Sequence, residues 1–324
     1  MPKISILLPL YNVERYVADC LHSLLVQSRN DFEIIAVDDA SPDRSGPLVR
    51  TILGAQDRIP WKFILNDVNK GLAETRRIAA AVAGGDYVLC VDSDDRVHPD
   101  LIETILREAD LTGADVVIFA ATCVDPDGSL KYVIETGDEV MTGVQAVEKI
   151  MELSLQAYCW NKLVRRSIFD AVHHPCGLIY EDFCVSVQTL GHAGIVRLIP
   201  DRLYFYVVRD SGISTRFNPR VTDLFEIMDL VEHETESLPI RNYPRLIFRL
   251  RYIYGFRTIA FQAAERAPDF NQARPILDSV AQRLRLSHIG RIFADHRPRL
   301  SVAMLLLKLH PWLFYHFARA FNHR

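Results

Sequence analysis

Three short clusters of polar residues follow apolar runs in this 324-residue chain: Pro9-Leu10-Tyr11-Asn12, Asp38-Asp39 and Asp92-Ser93-Asp94-Asp95. Aspartates this close repel one another, at a cost that a cation offsets. Carboxylates are hard oxygen donors suited to Mg²⁺ or Mn²⁺, with diphosphate oxygens completing the shell. A helix cap explains any one cluster alone. Three clusters at one sheet edge point instead to a ligand. A fourth pair, Glu181-Asp182, opens a segment with helical spacing at Phe183, Val187 and Leu190. Such acids either complement the positive end of a helix dipole or include a general base.

The elements that must position these groups follow from hydrophobic spacing. Ile4–Leu8, Phe32–Val37, Phe63–Leu65, Tyr87–Val91 and Asp115–Ala121 read as short buried strands. Between them, Glu14–Gln27, Gly71–Ala83 and Pro99–Thr112 carry helical spacing, and Ser41-Pro42-Asp43 reads as a turn and helix start. Alternating strands and helices predict an α/β fold with a mainly parallel sheet flanked by helices. In such sheets, ligands bind outside the carboxyl ends of the strands, where the clusters fall. Strand signals stop after about Phe217. Val221–Ser237 and Arg245–Ala264 then look helical, so residues 1–217 are expected to form the α/β domain and 218–324 an α-helical extension.

Charge separates the same two regions. The net charge is −4, but residues 216–324 hold 17 Lys+Arg against 10 Asp+Glu. From Ser237 onward 15 basic residues face four acids, which suggests a basic arm for an anionic surface or a self-supporting helical face. Arg241, Arg245 and Arg249 are spaced to line one helical stripe. Leu300–Phe321 is apolar and aromatic, but Lys308, His310 and Pro311 interrupt it, and a bilayer span needs about 20 apolar residues. Pro311 is expected to start a new helix, placing Trp312, Phe314, Phe317 and Phe321 against the other helices, a second copy or lipid. No nucleic-acid motif accompanies the charge. The six cysteines form no CxxC pair, so neither a zinc site nor a dithiol redox motif is suggested, and buried thiols in a reducing compartment are expected. The apolar start is too short for a signal peptide, so a cytoplasmic location is expected.

The order P-x-Y-N, V-D-D-A-S and D-S-D-D resembles the inverting family-2 glycosyltransferases of GT-A fold, over roughly residues 3–215. The resemblance implies transfer from a UDP-sugar to a hydroxyl of a saccharide or lipid-linked acceptor, with Mn²⁺ or Mg²⁺, in surface polysaccharide or glycolipid synthesis. It implies that Pro9, Tyr11 and Asn12 cradle the nucleoside and that Asp39 accepts a hydrogen bond from uracil. Asn69 and Arg76 match an N-x-G-x-x-x-A-R-N element beside the nucleotide, although Arg77 departs from its last position. Asp94 matches the metal ligand, with Asp92 on the ribose or the metal and Ser93 between them.

Cys159–Arg166 resembles the family's W-N-K-L-x-R element, in which Trp160 stacks on a sugar or packs in the core and Lys162 supports the acidic site. Asp182 matches the general base and Glu181 its neighbour. Arg209 with Ser211 or Ser214 matches a loop that meets the diphosphate. Competing readings are a nucleotidyltransferase, which usually carries a Gly-rich loop that Leu8–Asn12 lacks, and a non-catalytic scaffold. The tail is expected to meet an anionic membrane on its inner face, or a second copy.

Overall fold

The apolar run that opens the chain forms the centre of a sheet. In the computed structural model, which describes residues 2–209 and 216–321, β1 (Ile4–Leu10) is buried along its whole length. It lies parallel between β2 (Phe32–Asp38) and β4 (Tyr87–Cys90). A strand covered on both faces and both sides needs apolar residues at every position, as Ile4-Ser5-Ile6-Leu7-Leu8 nearly supplies. Its one hydroxyl, Ser5, donates to the buried Glu33 at 2.8 Å. Pairing with β4 stops at Leu7–Cys90, so Pro9 lies where the ladder has only β2 as a neighbour.

The remaining strands are β3 (Trp61–Leu65), β5 (Arg96–Val97), β6 (Val116–Val124), β7 (Leu130–Ile134), β8 (Glu139–Thr142), β9 (Lys162–Arg165) and β10 (Ile195–Val207). The main order is β3-β2-β1-β4-β9-β6-β10-β5, with β7 on β6 and β8 on β10. β3, β2, β1 and β4 are mutually parallel, as are β6 and β10, and β9 runs antiparallel between β4 and β6. The helices of this unit are α1 (Val17–Leu25), α2 (Ser45–Gly54), α3 (Leu72–Ala80), α4 (Leu101–Thr112), α5 (Gly143–Met151), the single turn α6 (Arg166–Phe169) and α7 (Glu181–His192). α1 buries Val17, Cys20, Leu21 and Leu24, one stripe at helical spacing. Its first turn starts later than the spacing predicts. Val13 and Glu14 donate their backbone N–H groups to Ser45 and Asp43 instead.

The expected strands are present, and the fold is the expected mixed sheet with flanking helices. β5 and β7–β10 were not foreseen. Five cysteines are buried, but Cys176 is exposed, contrary to the expectation for all six.

Contacts divide the chain into Met1–Ile150 with Leu155–Arg209, and Met151–Ser154 with Asp210–Arg324. The second unit is helical among its described residues. A short turn at Pro219–Thr222 leads into α8 (Asp223–Thr235). α9 (Tyr243–Phe248), a π-helical segment (Arg249–Phe256) and α10 (Arg257–Arg266) then follow without interruption. α11 (Phe270–Arg283), α12 (Leu286–Ala294), α13 (Pro298–Leu309) and α14 (Pro311–Phe321) complete it. Leu224, Val231, Ile259, Leu277, Met304 and Phe314 form its core. Pro311 begins a helix as expected, its missing N–H harmless there. The arginine stripe needs correction. Arg241 precedes the helix, which starts at Tyr243 after Asn242 in the left-handed region, so only Arg245 and Arg249 share it. Both pair with Asp295, at 2.8 and 3.3 Å.

Candidate active site

Strand direction explains why distant residues meet at one edge. β1, β2, β4 and β10 all end there, and the antiparallel β9 begins there. The edge therefore receives Tyr11-Asn12, Asp38-Asp39, Asp92–Asp95 and Val207–Arg209, together with Cys159–Lys162. Asn12, Ala40 and Tyr180 carry positive φ of 55°, 54° and 67° at turns around this edge. Such strained residues persist where the surroundings over-determine them, and they cluster at functional sites.

Asp39 is buried and organises the loop after β3. Its Oδ1 accepts from Asn66 Nδ2 at 2.7 Å and Lys70 N at 2.8 Å, and its Oδ2 accepts from Gly71 N at 2.8 Å. Gly71 has φ 84° as it enters α3, a conformation that favours glycine. Oδ1 already accepts two bonds and Oδ2 one, so Oδ2 retains a lone pair for a ligand donor. Asn69, on the same loop, is exposed. Tyr11 is half exposed, and Asn12 N donates to Ser41 Oγ at 3.3 Å. Ser93 is buried and donates to the Pro9 carbonyl at 2.6 Å, tying the Asp92–Asp95 loop to β1.

Arg76 is the hub of the site. Projected from α3 and 2% exposed, it donates from Nη2 to Asp92 Oδ1 at 2.8 Å and from Nη1 to Asp182 Oδ1 at 2.5 Å and Glu181 Oε1 at 3.3 Å. Its Nε has no hydrogen-bond partner among the described residues. Sequence reasoning placed Arg76 beside the nucleotide; in the structure it joins the Asp92–Asp95 loop to the first turn of α7. Asp182 Oδ2 also accepts from Cys159 N at 3.3 Å. Burial pushes the Asp182 pKa up, but the Arg76 charge and these hydrogen bonds outweigh it and hold the group below the usual range. Burial and the neighbouring Asp182 charge push Glu181 up to about 8. Burial also raises Asp92, against the pull of Arg76. Adjacent carboxylates are thus driven apart, Glu181 upward by burial and Asp182 downward by Arg76. The Asp182 side chain is also the more open, 24% exposed against 9% for Glu181.

Asp95 acts inside the scaffold. Its Oδ2 accepts from Tyr204 Oη at 2.9 Å and its Oδ1 from Val207 N at 2.8 Å, while Tyr204 Oη accepts from Asp92 N at 3.0 Å. β10 thereby fixes the Asp92–Asp95 loop. Asp94 pairs with Arg209, whose guanidinium lies 4.9 Å from the Tyr16 ring centroid. Ser211 and Ser214 lie outside the described residues. Trp160 is buried and stacks on Tyr158 and Tyr204, with centroids at 4.9 and 4.5 Å, so core packing accounts for it and sugar stacking does not. Lys162 is buried, with Nζ donating to the Gln156 and Tyr158 carbonyls at 3.0 and 2.5 Å and to Asn161 Oδ1 at 2.9 Å. Burial lowers its pKa to about 8. Tyr204 is the residue that sequence reasoning missed; its only signal was an aromatic five residues before Arg209. Among the described residues no group of three or more His, Cys, Asp or Glu side chains is arranged to hold a metal.

The chain resembles known proteins over most of its length. Residues 5–177 match the model of glycosyl transferase family 2. Glycosyltransferase GlyG of Streptococcus pneumoniae is 30% identical over 240 residues, which are 71% of this chain and 77% of GlyG. Poly(ribitol-phosphate) beta-N-acetylglucosaminyltransferase TarS of Staphylococcus aureus is 26% identical over 244 residues, 72% of this chain and 40% of TarS. The structure of TarS 1–349 in complex with UDP-GlcNAc superimposes with a TM-score of 0.72 at 19% identity, covering 99% of this chain and 91% of that one. A mannosyltransferase from Pyrobaculum calidifontis, in complex with GDP-Man and Mn2+, gives a TM-score of 0.57 at 13% identity, covering 96% and 88%. The chain has the GT-A-like fold, is a glycosyltransferase, and belongs to glycosyl transferase family 2.

Proposed function

We propose that this glycosyltransferase moves a sugar from a UDP-sugar to a hydroxyl of a saccharide or lipid-linked acceptor, with inversion, in surface polysaccharide or glycolipid synthesis. The observation that carries the reading is the placement of Asp182, the more open of two adjacent carboxylates at the strand-end edge, held by Arg76 Nη1 and Cys159 N. A carboxylate fixed and open in this way can serve as a general base. In the step, the acceptor oxygen attacks the anomeric carbon opposite the diphosphate. Its proton passes to Asp182 as the bond to the leaving UDP breaks. Arg76 weakens this base but keeps it ionised. Asp39 and the first-strand residues Pro9, Tyr11 and Asn12 are assigned to the nucleoside. Arg209, with Ser211 or Ser214, is assigned to the diphosphate. Residues 1–217 are assigned to transfer and 218–324 to an accessory role.

Asp94 and Asp92 offer an anionic, all-oxygen donor set, and each already faces an arginine. That chemistry fits a hard divalent cation. These two residues would hold Mn²⁺ or Mg²⁺, which stabilises charge on a departing diphosphate.

Asp182→Asn should lower kcat by about 10²–10⁴-fold while donor affinity changes little. The native product should show inverted anomeric configuration by NMR. Wild-type turnover by the variant, or a retained configuration, would overturn the assignment. Asp94→Asn or excess chelator should weaken UDP binding by calorimetry and remove turnover. Full activity in chelator excludes the metal.

A further inference from the structure

We propose that α12–α14 form a docking face for an anionic lipid surface, with exposed apolar side chains entering the interface and arginines on the headgroup phosphates. The inference does not depend on the sugar-transfer reading.

α13 is apolar on both sides. Its inner side buries Ala303, Met304 and Leu307, as a packed helix must. Its outer side carries Val302, Leu305 and Leu309, spaced at i, i+3 and i+7, and Val302 and Leu309 are both 62% exposed. A helix apolar all round is normally covered on all sides. The helices packed against it repeat the pattern. α12 exposes Leu286 and Phe293, seven residues apart, and α14 exposes Trp312 and Leu313. Isolated surface leucines are ordinary. Exposed apolar side chains on α13 and on the two helices packed against it mark an interaction surface.

Charge selects the occupant. Residues 284–321 contain six Lys+Arg and one acid, Asp295. Asp295 is already engaged by Arg245 and Arg249. Arg285, Arg297 and Arg299 are exposed and have no acidic partner among the described residues. A second copy would bring the same arginines against one another with no acid on the face to answer them. An anionic bilayer supplies the missing charge and a medium for the apolar stripes. Trp312 also suits the interface, since an indole there buries its ring and keeps its N–H near polar headgroups. Among the described residues no helix is long and apolar enough to cross a membrane, so the geometry is that of lying on the surface.

The test is vesicle sedimentation of the full chain, with no sugar donor present. Vesicles containing about a quarter phosphatidylglycerol should bind at least about tenfold more strongly than pure phosphatidylcholine. The difference should collapse as salt rises from about 0.15 to 1 M. Arg297→Gln and Arg299→Gln should each cost about fivefold. Trp312→Glu with Leu309→Glu should remove binding, with thermal melting unchanged because both side chains are exposed. A blue shift of tryptophan emission on vesicles should disappear in Trp312→Phe. Equal binding to both lipids, or unchanged partition in these variants, overturns the proposal. So does a dimer in sedimentation velocity that Trp312→Glu dissociates, which assigns the face to a second copy.

Discussion

At the sheet edge, Arg76 is enclosed by Asp92, Glu181 and Asp182, and the buried Asp39, Asp95 and Lys162 are each held by neutral hydrogen-bond partners. On α12–α14 the arrangement is reversed: arginines lack acids and leucines face outward. Burial explains the contrast. An ion removed from water requires a partner, because its desolvation cost is several kcal/mol. An exposed guanidinium keeps its hydration and can remain unpaired at little cost. The first region therefore holds its charges in fixed positions, as a reaction needs. The second keeps its charge and apolar area available, as reversible attachment needs.

The strongest way to break the first half of this comparison is Arg76→Met. Removing one partner of a buried ion pair typically costs about 3–5 kcal/mol. The loss should depend on pH, and its sign follows from the groups left behind. Asp182 is held low in the native fold, so its contribution is present above its unfolded pKa and is lost as pH falls. Without Arg76, Asp92 and Asp182 both move up, and a carboxylate raised on folding loses stability as pH rises. The deficit of the variant should therefore be larger at pH 8 than at pH 5 in denaturant titrations. An equal deficit at both pH values means that Arg76 acts by packing alone. Turnover should also fall, since both loops lose their tether.

Much of the edge was legible because apolar runs end in polar residues: β1, β2 and β4 each carry theirs just past the last apolar position. The Glu181-Asp182 pair was legible for the same reason, at the start of a helical pattern. What was not legible depends on long-range partners. Arg76 was singled out by its motif, but Asp92 and Asp182 reach it from 16 and 106 residues away. Trp160 stayed ambiguous because its covering ring, Tyr204, comes from another strand. β10 was missed because Pro200-Asp201 interrupts its apolar pattern, and the strand absorbs the break as register shifts between Ile199 and Tyr204. β9 is only four residues long, and its Lys162-Leu163-Val164-Arg165 reads as a motif before it reads as a strand. In the tail, helices were legible but the outward stripes were not, since an apolar residue does not announce which side it faces.

Asp295→Asn sharpens the second half of the comparison with the smallest effect. Asp295 is the one acid between Arg283 and Phe321, and its side chain is nearly covered while Arg245 is largely exposed. Such partly exposed pairs contribute on the order of 0.5–1 kcal/mol, so a small loss of stability is expected. The same change releases Arg245 and Arg249 and adds one positive charge to the unit. If the unit meets an anionic surface, vesicle affinity should rise, by about fivefold at most. Stability and binding then move in opposite directions, which a packing defect alone does not produce. A fall in both would show that Asp295 matters by holding the arginines in place. The positive charge would then act through fixed geometry, as it does at the catalytic edge, and the contrast between the two regions would narrow.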